Sequence, residues 1–166
     1  MASETTVLRP HVLQWLKPLH GVAVENGDIN PGCPDVNYAD GWIELKHLDN
    51  WPKVSDGAVV RCEHFTVQQR LWALQRRCAG GQVWFFIQIG RDFLLFDALD
   101  AAMKVGFVSR AQLYNAAKAN WNKRVNEEEF RICVSQSQRN CYASDEGLVK
   151  LKRQLLSVMR SQSAGT

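Results

Sequence analysis

Apolar residues recur at helical spacing in four segments of the chain, and these segments predict its helices. The clearest predicted helix begins at Thr66, where Thr66 and Gln69 fit the pattern of a capping box, and it ends at Gly80-Gly81. The last predicted helix carries basic residues on the face opposite its leucines, which is typical of a surface helix. Besides the one at Thr66, helices are predicted over residues 10–19, 109–121 and 148–159.

Strand patterns occupy the segments on either side of the clearest helix. Residues 34–38 and 41–48 alternate between apolar and polar positions and predict two strands joined by a tight turn. Residues 82–89 form a nearly continuous apolar run, as in the buried centre of a sheet. Strands interleaved with helices indicate an α/β fold, in which helices flank a central mixed β-sheet. The remaining predicted strands are shorter and cover residues 22–24, 58–61, 93–96 and 130–135.

Composition limits the class of protein. With 166 residues, of which 46% are hydrophobic and 22% are charged, the chain has the make-up of one globular domain. The apolar run from Val83 to Ile89 is far shorter than the roughly 20 residues of a membrane span, and the first residues do not form a signal-peptide pattern. Five cysteines without a CxxC pair indicate reduced thiols. We therefore predict a cytoplasmic, intracellular protein that has no membrane partner.

The net charge of +3 conceals two parts of opposite sign. Residues 1–106 hold 10 Lys and Arg against 12 Asp and Glu, whereas residues 107–166 hold 10 against 5. A basic second part beside a mildly acidic first part suits a protein that binds a polyanion with one and cations with the other. A solvated basic helix is the alternative explanation of the same charges.

The segment from residue 34 to 46 holds the side chains with the clearest chemical meaning. In the predicted hairpin, Asp35 lies opposite or diagonal to Glu44, at about 5 to 8 Å. Two carboxylates at that separation repel each other, and a shared divalent cation relieves the repulsion. Lys46 points to the same side as Glu44, where it can orient or deprotonate a metal-bound water, and the backbone carbonyl of Leu45 can add a ligand. Exposed polar positions on a half-buried strand are the alternative interpretation.

Four short motifs, in this order, resemble those of a known family. They are Gly-x-Pro-Asp at 32–35, Trp-x-Glu-x-Lys at 42–46, a helix that opens with Thr-x-x-Gln at 66–69, and the closing Gly-Gly at 80–81. The chain thereby resembles the PD-(D/E)XK nuclease superfamily, and within it the virus-type replication-repair nucleases (VRR-NUC), over roughly residues 20–97. The resemblance implies one nuclease domain with a restriction-endonuclease-like core over about 9–100. It does not explain the remaining part, which we predict to be a basic α/β extension over about 101–160.

The resemblance also implies a role for each motif residue. Asp35 and Glu44 would hold Mg²⁺ or Mn²⁺, Lys46 would activate the attacking water, and Gln69 would orient the scissile phosphate or the lysine. Members of the family often supply a further carboxylate from the first helix, but the helix predicted over 10–19 has no acidic residue. Glu25 is the best substitute and Asp28 the second, and this departure leaves open whether one or two ions bind.

These roles describe a metal-dependent DNA endonuclease of replication, recombination or repair. Branched DNA such as a Holliday junction needs two cuts, for which a homodimer is the usual solution, and a phage origin fits the family. One alternative is a catalytically silent nucleic-acid-binding module of the same fold, and another is a hydrolase that uses Asp35 and Glu44 as an acid–base pair on a substrate such as a sugar. The residues expected to contact DNA are His64, Arg70, Lys150, Lys152 and Arg153.

Overall fold

A computed structural model of the chain describes residues 7–25, 31–53, 57–138, 149–150, 152–157 and 160. Helices α1 to α5 and strands β1 to β6 alternate along it, as the α/β prediction requires. In chain order they are α1 Arg9–Trp15, β1 Val22–Ala23, β2 Val36–Tyr38, β3 Gly41–Leu48, α2 Val67–Cys78, β4 Gln82–Ile89, β5 Asp92–Asp97, α3 Ala98–Lys104, α4 Arg110–Ala116, β6 Ala119–Asn122 and α5 Glu127–Ser135.

The six strands form one mixed sheet in the order β1-β2-β3-β4-β5-β6. Strands β3 and β4 run parallel, with Gly41 opposite Gln82 and Leu48 opposite Ile89, and helix α2 makes the crossover between them. The other four pairs of neighbours are antiparallel. Because β3 and β4 are parallel, their C-terminal residues lie at the same end of the sheet.

Helices cover both faces of the sheet, as predicted. On one face, Leu45 and Phe86 pack in a core with Val12 of α1 and Phe130 of α5. On the other face, Phe85 and its neighbours pack against α3 and α4, and α2 contributes a smaller cluster beside them. Since β6 extends the sheet beyond β5 and α5 shares a core with α1, residues 101–135 belong to the same packed unit as the motifs.

Two predictions in the second half of the chain differ from the structure: the helix predicted from Ser109 begins there but ends early, and the strand predicted over 130–135 is of the wrong type. The helix predicted over 109–121 stops at Ala116, and β6 follows it because the backbone N–H of Lys118 donates to the Leu95 carbonyl and continues as a partner of β5. The strand predicted over 130–135 is helix α5. Its first turn is capped by the side chain of Asn126, and its buried residues, Phe130 and Val134, lie one helical turn apart.

Smaller differences concern the loops. Residues 58–61 contribute an isolated bridge between Val59 and Ser109 instead of a strand. Helix α3, which no pattern predicts, is capped by the Asp97 side chain and packs through alanines. Within the segment 148–159, the residues described, 149–150 and 152–157, are helical, whereas the rest of that predicted helix lies outside the described residues. In the described part of the chain, no helix has both the length and the apolar character needed to cross a membrane.

Candidate active site

Glu44 and Lys46 lie on β3 and point to the face of the sheet that α2 covers. Their partners in the parallel ladder are Phe85 and Ile87, which lie in the core on that face. Lys46 Nζ is 2.6 Å from Glu44 Oε1, and the two residues are only 5% and 4% exposed. Removing an acidic and a basic side chain from water costs free energy that a surface pair does not cost. A buried pair in motif positions is therefore a candidate for function rather than a solvated strand face.

Asp35 lies directly across the hairpin from Glu44. Val36 pairs with Ile43 in the antiparallel ladder, so the next positions in the same register are Asp35 and Glu44. Asp35 Oδ2 accepts a hydrogen bond of 2.9 Å from the backbone N–H of Leu45. The predicted hairpin is confirmed, and it holds the Asp35 carboxylate against the segment that carries Glu44 and Lys46.

The proline before Asp35 affects the backbone of β3. The Asp35 carbonyl accepts from Val24 N–H on the β1 side, so the alternate residues Pro34 and Val36 face β3. In this register Pro34 stands across from Leu45, and proline has no N–H to donate to the Leu45 carbonyl. The side chain of Asp35 takes the Leu45 N–H instead. The Leu45 carbonyl therefore receives no hydrogen bond from position 34, as is required if its oxygen is to bind a metal ion.

Gln69 uses both ends of its amide. Its Oε1 accepts from the backbone N–H of Thr66 at 2.9 Å, while its own backbone N–H donates to Thr66 Oγ1 at 3.3 Å, so the predicted capping box is confirmed. Its Nε2 donates to Glu44 Oε1, the oxygen that also binds Lys46. The structural and the site contacts thus coexist in one side chain.

A glycine fixes the distance between the Asp35 loop and the start of α2. Gly32 adopts φ +89°, in the left-handed region, and a Cβ placed there would lie 2.6 Å from the backbone carbon and oxygen of Gln68. The loop that leads to Asp35 therefore packs against the first turn of α2, next to Gln69. This close approach explains why the Gly-x-Pro-Asp motif begins with glycine.

Arg9, on α1, is a site residue that no local pattern indicates. One guanidinium nitrogen lies 3.0 Å from Glu25 Oε1 and another lies 3.3 Å from Asp35 Oδ1. The Arg9 side chain is 14% exposed, whereas that of Glu25 is 85% exposed. Glu25 therefore lies at this corner of the molecule, with Arg9 between its carboxylate and that of Asp35, and its part as a metal ligand stays a prediction.

The residues predicted to contact DNA differ in their placement. His64, Lys150 and Arg153 are exposed and Lys152 is half-buried, whereas Arg70 is 3% exposed, which corrects its prediction. Its guanidinium donates to the carbonyls of Phe65, Ala102 and Val105 and lies over the Phe65 ring. Burial lowers its pKa to about 10, so it keeps its charge at neutral pH. Arg70 holds α2, the loop before it and α3 together, and it has no surface left for a ligand.

The comparisons with known proteins add nothing to this geometry. No family model, no curated protein and no solved structure matches the chain. The interpretation of the site therefore depends on the chemistry of its own residues.

The donors fit a small divalent cation. Asp35, Glu44 and the Leu45 carbonyl supply only oxygen, the donor that Mg²⁺ and Mn²⁺ prefer. Within the ranges that the structure describes, no three side chains of His, Cys, Asp or Glu form a group that could hold a metal ion. The set thus consists of two opposed carboxylates and one carbonyl, with a lysine and an amide on Glu44 and the Arg9 guanidinium on Asp35.

Proposed function

We propose that the protein is a Mg²⁺- or Mn²⁺-dependent endodeoxyribonuclease that hydrolyses phosphodiester bonds in replication, recombination or repair. The observation that carries this proposal is the buried Lys46–Glu44 pair, which has Asp35 across the hairpin and Gln69 on the same carboxylate oxygen. An acid–base pair for sugar hydrolysis has no use for a lysine held against one of its two carboxylates. The restriction-endonuclease-like core belongs to the same proposal.

Each residue has a distinct part in the proposed reaction. Asp35, Glu44 and the Leu45 carbonyl would hold the ion, which when bound would supply Lewis-acid stabilisation of the charge that develops on the phosphate. Lys46 Nζ orients the attacking water and, as the neutral amine, takes the proton that the water loses. Gln69 keeps the Glu44 carboxylate in place, and its own position is fixed by the first turn of α2. The chain thereby holds its reacting groups in position before substrate arrives, which lowers the entropic part of the barrier.

The proposal is tested by incubating the protein with labelled linear, nicked, flap and four-way DNA in Mg²⁺, in Mn²⁺ and in EDTA. We expect cleavage in the two metals and none in EDTA. Tight binding without cleavage in either metal would instead identify a catalytically silent binding module, and the absence of both would rule out a role on DNA. Preferential cleavage of the four-way substrate, together with a dimeric mass in solution, would support the finer expectation of a homodimer that acts on branched DNA.

Replacing Gln69 with alanine should slow cleavage by about 10- to 100-fold, which is the usual effect of removing a group that orients a metal ligand. The same change should cost only about 1 kcal/mol of unfolding free energy through the lost cap. Gln112 provides the matched control, because it closes an equivalent capping box with Ser109 at the start of α4. Gln112→Ala should lose similar stability in urea unfolding and keep its cleavage rate. Equal activity in the two variants would show that Gln69 serves the helix alone.

A further inference from the structure

A second group of polar and aromatic side chains lies outside the candidate active site. The rings of Trp51 and Tyr114 stack with centroids 5.7 Å apart and an interplanar angle of 26°. The guanidinium carbon of Arg110 lies 4.6 Å from the Trp51 centroid and 5.7 Å from that of Tyr114. A guanidinium held against two aromatic rings keeps its charge and loses much of its side-chain freedom. Arg110 is thus fixed in place although its side chain is 46% exposed.

The carboxylate of Asp92 lies beneath this group and binds both Trp51 and Arg110. Asp92 is 6% exposed, and its carboxylate accepts from Trp51 Nε1 at 2.6 Å, from Arg110 Nη2 at 3.2 Å and from Asn122 Nδ2. Burial alone raises the pKa of Asp92, but the hydrogen bonds from Asn122 and Trp51, together with the charge of Arg110, bring it below its ordinary value. The carboxylate therefore stays ionised and holds Arg110 and Trp51 in one arrangement.

Further cations surround this anchor. Arg91, in the turn before Asp92, is exposed, and its carbonyl accepts from the N–H of Lys123 at 2.7 Å. Arg124, which follows Lys123, is also exposed. We call this edge of the sheet the basic rim. It comprises the four exposed cations Arg91, Arg110, Lys123 and Arg124. Asp92 is buried beneath Arg110, and the exposed carboxylates of Glu127 and Glu128 lie beside Arg124, at the far side of the rim.

The Asp92–Arg110 part of the basic rim lies on the same face of the sheet as Lys46, and Arg91, Lys123 and Arg124 lie in the turns at the same end. Leu48 pairs with Ile89, and Ile89 pairs with Asp92, so their side chains share the face of Lys46, which lies two residues before Leu48. From the usual spacings in a sheet, the Cα atoms of Lys46 and Asp92, which are two residues apart along the strand direction and two strands apart across it, are separated by about 12 Å. That distance is a few nucleotides along a nucleic-acid strand.

We propose that the basic rim binds the phosphate backbone of the DNA strand that is cut, a few nucleotides from the scissile phosphate. The inference rests on the proposed function, since it places the same substrate on both groups. Arg110 is the fixed contact, and Arg91, Lys123 and Arg124 add mobile ones. Trp51 and Tyr114 stack on each other and on Arg110, so they position the guanidinium rather than a base.

The test is the salt dependence of binding to a short labelled DNA duplex, measured with the full chain in EDTA so that no cleavage occurs. In the variant Arg91→Gln/Arg110→Gln/Lys123→Gln, the slope of log K against log salt should fall in magnitude by about 2 to 3, since each phosphate contact contributes about 0.9. Lys17→Gln is the matched control. Lys17 is an exposed cation at the opposite end of the sheet. It lies two residues before Leu19, whose carbonyl accepts a hydrogen bond from the N–H of Ala39 in the turn between β2 and β3. The slope of this variant should equal that of the wild type, whereas the loss of one phosphate contact would lower it by about 0.9.

The outcomes separate this inference from the proposed function. If the protein cuts DNA and the triple variant keeps the wild-type slope, or if Lys17→Gln lowers the slope as much as Arg110→Gln does, the basic rim is not the contact surface, while the proposed function stands. If the folded wild-type protein neither binds nor cuts DNA, both fail. A thermal melt shows whether the triple variant is folded, and Arg110→Gln alone, which keeps an N–H donor for Asp92, should lower the slope by about 1.

Discussion

Replacing Lys46 with methionine should lower the rate of metal-dependent cleavage by about 10²- to 10⁴-fold, the range for loss of a positioned acid–base group. DNA binding in EDTA should remain, because a buried side chain contributes little to contact with phosphates at the surface. Lys104→Met is the matched control, since Lys104 also pairs with a carboxylate, that of Asp100 at 3.0 Å, but on the surface. That variant should retain activity.

The same substitution affects stability, and a double variant separates the two effects. Without Lys46, the Glu44 carboxylate stays buried but loses the positive charge beside it. This loss should lower the free energy of unfolding by about 3–5 kcal/mol. In Glu44→Gln/Lys46→Met both charges are gone, so much of the stability should return while activity stays lost. Recovery of cleavage together with stability in the double variant would mean that the pair supports the fold and takes no part in the reaction.

The substitution Asp35→Asn should reduce cleavage by at least about 100-fold and weaken the binding of Mn²⁺ measured by calorimetry, because the ion contributes several kcal/mol of transition-state stabilisation. Asparagine keeps an oxygen that can accept from Leu45 N–H, so the hairpin should stay folded. Unchanged Mn²⁺ affinity in this variant would exclude Asp35 as a ligand.

Glu25→Gln provides the comparison on the other side of Arg9. The Glu25 side chain is 85% exposed, and an exposed ion pair contributes about 0–1 kcal/mol. We therefore expect its Mn²⁺ affinity and cleavage rate to stay close to those of the wild type. A loss as large as that of Asp35→Asn would make Glu25 a metal ligand, as the sequence predicts, and would support a second ion.

Local patterns predict the parts of the site that depend on local geometry. The hairpin follows from alternation with a tight turn between its strands, and the capping box follows from Thr66 and Gln69, so both elements are found at their predicted positions. The contact from Gln69 to Glu44 depends on how α2 packs on β3. Its place beside the site was implied by the family resemblance and could not follow from spacing alone.

Long-range pairing explains what the sequence does not predict. Arg9 and Asp35 are 26 residues apart in the sequence. Two of the carbonyls that bind the Arg70 guanidinium, those of Ala102 and Val105, are more than 30 residues away, in α3 and just after it. A sequence pattern predicts that a charged residue on a helix is exposed, because the buried acceptors that would pair with it come from distant parts of the chain. The wrong assignment at 130–135 has a local cause, because its apolar residues fit both periods and the decisive signal, Asn126 followed by three glutamates, lies outside the apolar run.

The shared amide of Gln69 restricts which residue can occupy that position. Glutamine and glutamate close a capping box equally well, since either offers an oxygen to the backbone N–H of the cap residue. At position 69 a glutamate would turn a second carboxylate oxygen toward Glu44, where glutamine presents its N–H₂ group. A change that is neutral for Gln112 on α4 is therefore forbidden at Gln69, and the start of α2 cannot be redesigned for stability without regard to the chemistry beside it.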